Sequence, residues 1–115
     1  MIPFNNRFHG HSSLRYVYKN GQAVRSRFLT IKYIANSHRK NSRVAVVVSK
    51  KILKSAVRRN LIRRRIYEII RLNLPYLNTT YDIAVIVSSS ELLGATHEDL
   101  SGQIDQLFDQ AGMKK

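Results

Sequence analysis

The sequence predicts a single domain of mixed α and β structure built round a strand–helix–strand unit. Three observations carry this. Residues 44–48 (Val-Ala-Val-Val-Val) and 82–87 (Asp-Ile-Ala-Val-Ile-Val) are short apolar runs of strand length. Between them lies a stretch of helical length, with isoleucines at helical spacing. The 115 residues, 43% of them hydrophobic, suffice for one compact core. No repeat, low-complexity stretch or linker interrupts them.

Residues 1–11 read as irregular, flexible chain, with Pro3, Gly10 and two histidines. Ser12 or Ser13 is placed to cap a short helix running to about Lys19, with Leu14, Val17 and Tyr18 as its inner stripe. Asn20-Gly21 ends it, since both tolerate a left-handed backbone. Residues 28–34 alternate and are rich in β-formers, so they predict a strand. Residues 36–42 form a polar, basic turn. The run at 44–48 has the character of a central strand covered on both faces.

The long helix is expected to start between Leu53 and Ser55 and to reach about Leu72, where Asn73-Leu74-Pro75 stops it. At about 100° per residue, Ile62, Ile66, Ile69 and Ile70 share one side, flanked by Leu61 and Leu72. Asn60, Arg63, Arg64, Tyr67 and Arg71 share the other. Arg58 and Arg65 fall at the apolar margin, where their stems can lie along the core edge. After the strand at 82–87, Thr96-His97-Glu98-Asp99 opens a last helix with an acid at its third position. Leu100, Ile104, Leu107, Phe108 and Ala111 follow at helical spacing.

Charge narrows the function. The net charge is +13, and it is segregated: residues 1–67 carry 17 Lys and Arg and no acid, residues 68–115 three bases and seven acids. Residues 50–65 alone hold eight cations. A solvated helix ordinarily alternates signs to gain i,i+4 pairs, and this one does not. Lys50, Lys51 and Lys54 also crowd the helix start, where the dipole disfavours cations. A polyanion partner offsets both costs, and nucleic acid is the leading candidate. Tyr16, Tyr18, Phe28, Tyr33 and Tyr67 lie in the basic half. Most are expected in the core; Tyr67, phased with Asn60 and the arginines, is expected outside, free to stack on a base.

Other functions are disfavoured. There is no cysteine, hence no disulfide, thiolate metal site or cysteine nucleophile, which fits a reducing cytoplasm. No run has transmembrane length and the N-terminus lacks a signal-peptide core. His9 and His11 make a weak i,i+2 metal pattern. Asp82 either serves structure or meets a cation. No carboxylate pair, phosphate loop or nucleophile elbow appears, so neither a self-contained active site nor a small-molecule substrate is expected.

The order Ser49-Lys50-Lys51, Ala56-Val57, Arg59-Asn60, Arg63-Arg64 resembles the signature of the bacterial ribonuclease P protein family. Arg7-Phe8, Leu14, Val17-Tyr18 and Gly21 resemble its opening arginine, first helix and turn. The departures are Leu61 and Tyr67, where the family has basic residues, and Leu14, where it has an aromatic; Arg65 and Arg71 are placed to replace the charge. The resemblance implies an α/β (α+β) two-layer sandwich with about four strands and a left-handed βαβ crossover, against the usual right-handed preference. It implies a subunit that joins the catalytic ribonuclease P RNA and precursor tRNA in removing the 5′ leader, with Mg²⁺ held mainly by RNA and substrate. RNA binding is then expected at Lys50, Lys51, Lys54, Arg58, Arg59, Asn60, Arg63, Arg64, Arg65 and Tyr67. The leader is expected at Tyr18, Lys32 and Arg7, in a cleft between the long helix and the sheet. The rival reading is a structural RNA-binding protein of ribosomal or chaperone type, without a role in cleavage. A nuclease acting alone would need clustered carboxylates.

Overall fold

The computed structural model describes residues 4–8 and 11–115. After one 3-10 turn at Phe4–Asn6, the elements are α1 (His11–Asn20), β1 (Gln22–Arg25), β2 (Leu29–Ala35), β3 (Arg43–Val47), α2 (Ala56–Asn73), β4 (Tyr81–Val87) and α3 (His97–Ala111). The strands form one mixed sheet in the order β1-β2-β4-β3. β4 runs antiparallel to β2 and parallel to β3, so β3, α2 and β4 make the expected βαβ unit.

The strand alternation divides the sheet into two faces. Leu29, Ile31 and Tyr33 of β2, Val44 and Val46 of β3, and Ile83, Val85 and Val87 of β4 share the first face. They form one core with Ile62, Ile66, Ile69 and Ile70 of α2 and Leu100, Ile104, Leu107 and Phe108 of α3. Both helices therefore pack on this face. The second face carries Lys32, Ile34, Arg43, Asp82 and Ala84. The short α1 lies across it, with Val17 fully buried outside the main core.

Helix ends follow local chemistry. Ser55 caps α2 by accepting from the Arg58 N–H, and Thr96 caps α3 by accepting from the Asp99 N–H. Gly112 ends α3 with φ of 70°, a left-handed conformation that glycine adopts without strain.

Three expectations need correction. The run at 44–48 belongs to an edge strand; the interior strands are β2 and β4, and β4 is buried at six of seven positions. The first face of β3 is covered by the core under α2, while Ala45 and Val47 on the second face are only partly buried and Arg43 reaches across to Asp82 of β4. β1 carries no signal in the sequence because Gln-Ala-Val-Arg has almost no apolar face; it exists by pairing with β2. Tyr67 is buried, 2% exposed. The covered sector of α2 runs from Ile69 past Ile62, Ile66 and Ile70 to Tyr67, leaving Leu61 and Leu72 exposed. The isoleucines alone placed its centre too far toward those leucines.

The expected irregular chain to residue 11 lies partly outside the described residues, as does the His9–His11 pattern. Within them, Asn6 donates to the Ser42 carbonyl at 2.7 Å and Phe8 lies against Arg43, so this segment is tied to the start of β3.

Candidate nucleic-acid interface

The cationic surface is built at the entrance to α2. Ser49 turns the chain after β3: its carbonyl accepts from the Ile52 and Leu53 N–H groups, and its hydroxyl also accepts from Ile52. Leu53 is buried and plugs the turn into the core, leaving Lys50, Lys51 and Lys54 exposed. Arg59 reaches back, its Nη1 donating to the Leu53 carbonyl at 3.0 Å and the Lys54 carbonyl at 2.8 Å. One arginine thus staples the lysine turn to the helix. One turn on, Arg63 Nη1 donates to Asn60 Oδ1 at 2.8 Å, fixing the Asn60 amide beside the guanidinium.

Among the described residues, Arg58, Arg59, Arg63, Arg64 and Arg65 form no ion pair with a carboxylate. Five of the seven acids pair elsewhere: Asp82 with Arg43, Glu68 with Arg71 at 2.9 Å, Glu91 with Arg27, and Asp105 and Asp109 with Lys114; Glu98 and Asp99 lie in the first turn of α3. The hydrogen bond from Arg71 holds the Glu68 carboxyl below its ordinary value. Fixed, like-signed and uncompensated cations on one surface create a field suited to phosphates.

Most residues expected on this surface are there: Lys50, Lys51, Lys54, Arg58, Asn60 and Arg64 are exposed, Arg59 and Arg63 half-buried. Two differ. Tyr67 is in the core, where a base cannot reach its ring; its hydroxyl has no hydrogen-bond partner among the described residues, and burial pushes its phenol up from the ordinary value. Arg65 turns toward the segment before α3, where Nη2 donates to the Ala95 carbonyl at 2.7 Å. Arg71, placed to replace missing charge, is neutralised by Glu68.

Tyr18 and Lys32 do meet. Lys32 Nζ donates to the Tyr18 carbonyl at 3.2 Å and lies 5.7 Å from the Tyr18 ring centroid. Burial raises the Tyr18 phenol above its ordinary value, so it stays neutral. The expected cleft between the long helix and the sheet is wrong. Lys32 alternates with Ile31 and Tyr33, so it points away from α2, and α2 packs directly on the first face. The pair sits under α1 on the second face. Arg7 is not beside them; it lines a concavity with the 36–42 turn. That turn, whose basic character is legible in the sequence, exposes His38, Arg39 and Lys40. Tyr16, one of five aromatics of which most are expected in the core, is 57% exposed. The signal was available: Val17 faces inward, and a neighbour about 100° away sits at the helix flank.

A small α+β protein with a cationic helix face that none of its acids offsets is of the class built to meet a polyanion. The comparisons give the family. A family model described as Ribonuclease P matches residues 2–112. The ribonuclease P protein component of Clostridioides difficile is 40% identical over 99 residues, 84% of this chain and 82% of that protein. That of Clostridium acetobutylicum is 33% identical over 109 residues, 94% of this chain and 90% of its own length. Among solved structures, the ribonuclease P protein of Staphylococcus aureus superposes with a TM-score of 0.83, covering 96% of this chain and 98% of that one at 24% identity. That of Thermotoga maritima gives 0.76, covering 88% and 94%, also at 24% identity. The chain belongs to the ribonuclease P protein family.

Proposed function

We propose that this chain binds the catalytic RNA of ribonuclease P through the lysine turn and outer face of α2, and holds the 5′ leader of precursor tRNA on the second sheet face at Tyr18 and Lys32. The carrying observation is the arrangement at the α2 entrance: Arg59 clamps the lysine turn, Arg63 orients Asn60, and no acid offsets them. Arg forks suit paired phosphate oxygens, and the lysines act as point charges. Such contacts position an RNA without reading its sequence, as processing many precursors requires.

Catalysis is assigned to the RNA, with Mg²⁺ on RNA and substrate phosphates. Five of the protein's seven carboxylates are already engaged with cations, Asp82 most completely. Its contribution is electrostatic: by neutralising crowded phosphates it lowers the Mg²⁺ concentration at which the complex works.

The test is to add the chain to a bacterial ribonuclease P RNA at low Mg²⁺ and follow 5′ cleavage of precursor tRNA. Stimulation supports the proposal. RNA binding without stimulation refutes it in favour of a structural RNA-binding protein. For the leader, Tyr18→Ala should weaken binding of precursor tRNA far more than of mature tRNA; equal loss for both removes the leader from this site.

A further inference from the structure

Tyr16 and Tyr18 lie two residues apart on α1, about 200° round the helix, with Val17 between them anchored in the sheet. They therefore mark opposite flanks of the helix. The Tyr18 flank is taken up with Lys32. On the Tyr16 flank, an open concavity of about 460 Å³ lies between the first turn of α1, the end of β2 and His38. Its floor is the Arg43–Asp82 ion pair. It shares Asn36 and His38 with a second concavity of about 660 Å³, where Arg7, Arg39 and Lys40 gather with the Asn41 amide. The two form one groove, from an exposed tyrosine to a cluster of cations.

Its chemistry is one-sided. The single carboxylate in the lining is Asp82, and it is fully occupied: it accepts from Arg43 Nε at 2.8 Å, Arg43 Nη2 at 2.6 Å and Asn36 Nδ2 at 3.1 Å. No unpaired anion in the groove would repel phosphate. An exposed ring next to exposed cations and amides is the combination on which single-stranded nucleic acid binds, with bases stacked and backbone neutralised. The groove also lies near the proposed leader site, on the other flank of α1. Ile34, in its lining, is two positions from Lys32 on the same side of β2, about 7 Å away.

We infer that Tyr16 and the His38–Arg39–Lys40 turn form a second single-stranded RNA subsite, which holds the part of the 5′ leader farther from the cleavage point. This rests on the reading that Tyr18 and Lys32 hold the leader. It assigns a role to an aromatic and a basic turn that the α2 surface does not use.

The experiment uses the complex of this chain with a bacterial ribonuclease P RNA. Precursor tRNAs carry leaders of about two or about ten nucleotides, bracketing the reach of a small single-strand site. Tyr16→Ser should weaken binding of the long-leader precursor about fivefold or more and leave the short-leader precursor unchanged. Tyr16→Phe should restore binding, since the ring carries the effect. Arg39→Ala with Lys40→Ala should lower the salt dependence of long-leader binding by about two phosphates and leave the short-leader slope alone. Wild-type behaviour of these variants with both precursors overturns the inference. So does equal loss on both, or weakened binding to the catalytic RNA alone, which would place the groove on the other RNA. Tyr18→Ala, measured alongside, separates the two readings. If it discriminates precursor from mature tRNA while the Tyr16 variants do not discriminate leader length, only the second subsite falls. If Tyr18→Ala fails to discriminate, the leader reading falls and the subsite with it.

Discussion

Arg43 and Asp82 occupy paired register positions on the parallel strands β3 and β4, and their side chains close a two-pronged ion pair that is almost wholly buried. The Phe8 ring covers the guanidinium, with its centroid 4.8 Å from Cζ, and Asn36 takes up the remaining carboxylate contact. The pair joins the N-terminal segment, the 36–42 turn and two strands at the end of the sheet nearest the start of α1.

Removing one partner should be far worse than removing both. Asp82→Ala leaves a guanidinium buried without a counter-charge, and about 3–5 kcal/mol of stability should be lost. Arg43→Met with Asp82→Leu should recover most of that loss. Urea unfolding of both variants decides it; equal losses would mean that the charges themselves are the source of stability.

Tyr67 gives the opposite prediction. Its hydroxyl is buried with no partner among the described residues, so Tyr67→Phe should raise stability by about 1 kcal/mol at neutral pH. Its phenol is raised in the folded state, chiefly by burial. The unfolded chain can then ionise where the folded chain resists. The stability tied to this group is complete below the ordinary value of about 10 and falls as pH climbs above it. Melting curves above about pH 10 should fall less steeply for Tyr67→Phe than for the wild type.

Gly21 is required by a close approach, with no unusual torsion involved. A Cβ there would stand 2.5 Å from the Val17 carbonyl oxygen and 2.9 Å from that of Tyr33. The chain leaves α1 pressed against β2, and both obstacles are backbone. Gly21→Ala should cost about 1–3 kcal/mol in chemical denaturation and loosen the seat of Tyr18 over Lys32.

The α2 surface should show its function in salt dependence. If it neutralises about six to ten phosphates, affinity for the catalytic RNA should drop about 10³–10⁵-fold between roughly 50 and 200 mM salt. Arg63→Ala with Arg64→Ala should reduce the slope by about two without changing the fold, since neither residue belongs to the core. Filter binding across a salt series checks this. Arg59→Ala should weaken RNA binding and also lower the melting temperature, because it frees the lysine turn as well as removing a charge.

Much of this was legible in the chain. The isoleucines of α2 and the apolar residues of α3 fell where their spacing put them. Thr96 caps as its position suggested, and α2 starts, behind a Ser55 cap, one residue past the expected range. The order of cations from Lys50 to Arg64 located the charged surface, because periodicity and like-sign clustering are local properties. Tertiary structure decided the rest. Whether β3 lies at the centre or the edge depends on which strand inserts beside it. β1 exists through its partner. Tyr67 sits outside or inside according to how widely α2 is covered, and only the packing of α3 and the sheet sets that width. Lys32 and Tyr18 share a face opposite α2 because α1 crosses the sheet on that side. Asp82, open to two readings as a sequence position, becomes structural once Arg43 lies beside it in register. The three helices, the strands β2 to β4 and the cationic surface follow from the amino-acid order alone, since they rest on neighbours within a turn or two. Which residues meet across the sheet is a non-local property, and only the assembled fold decides it.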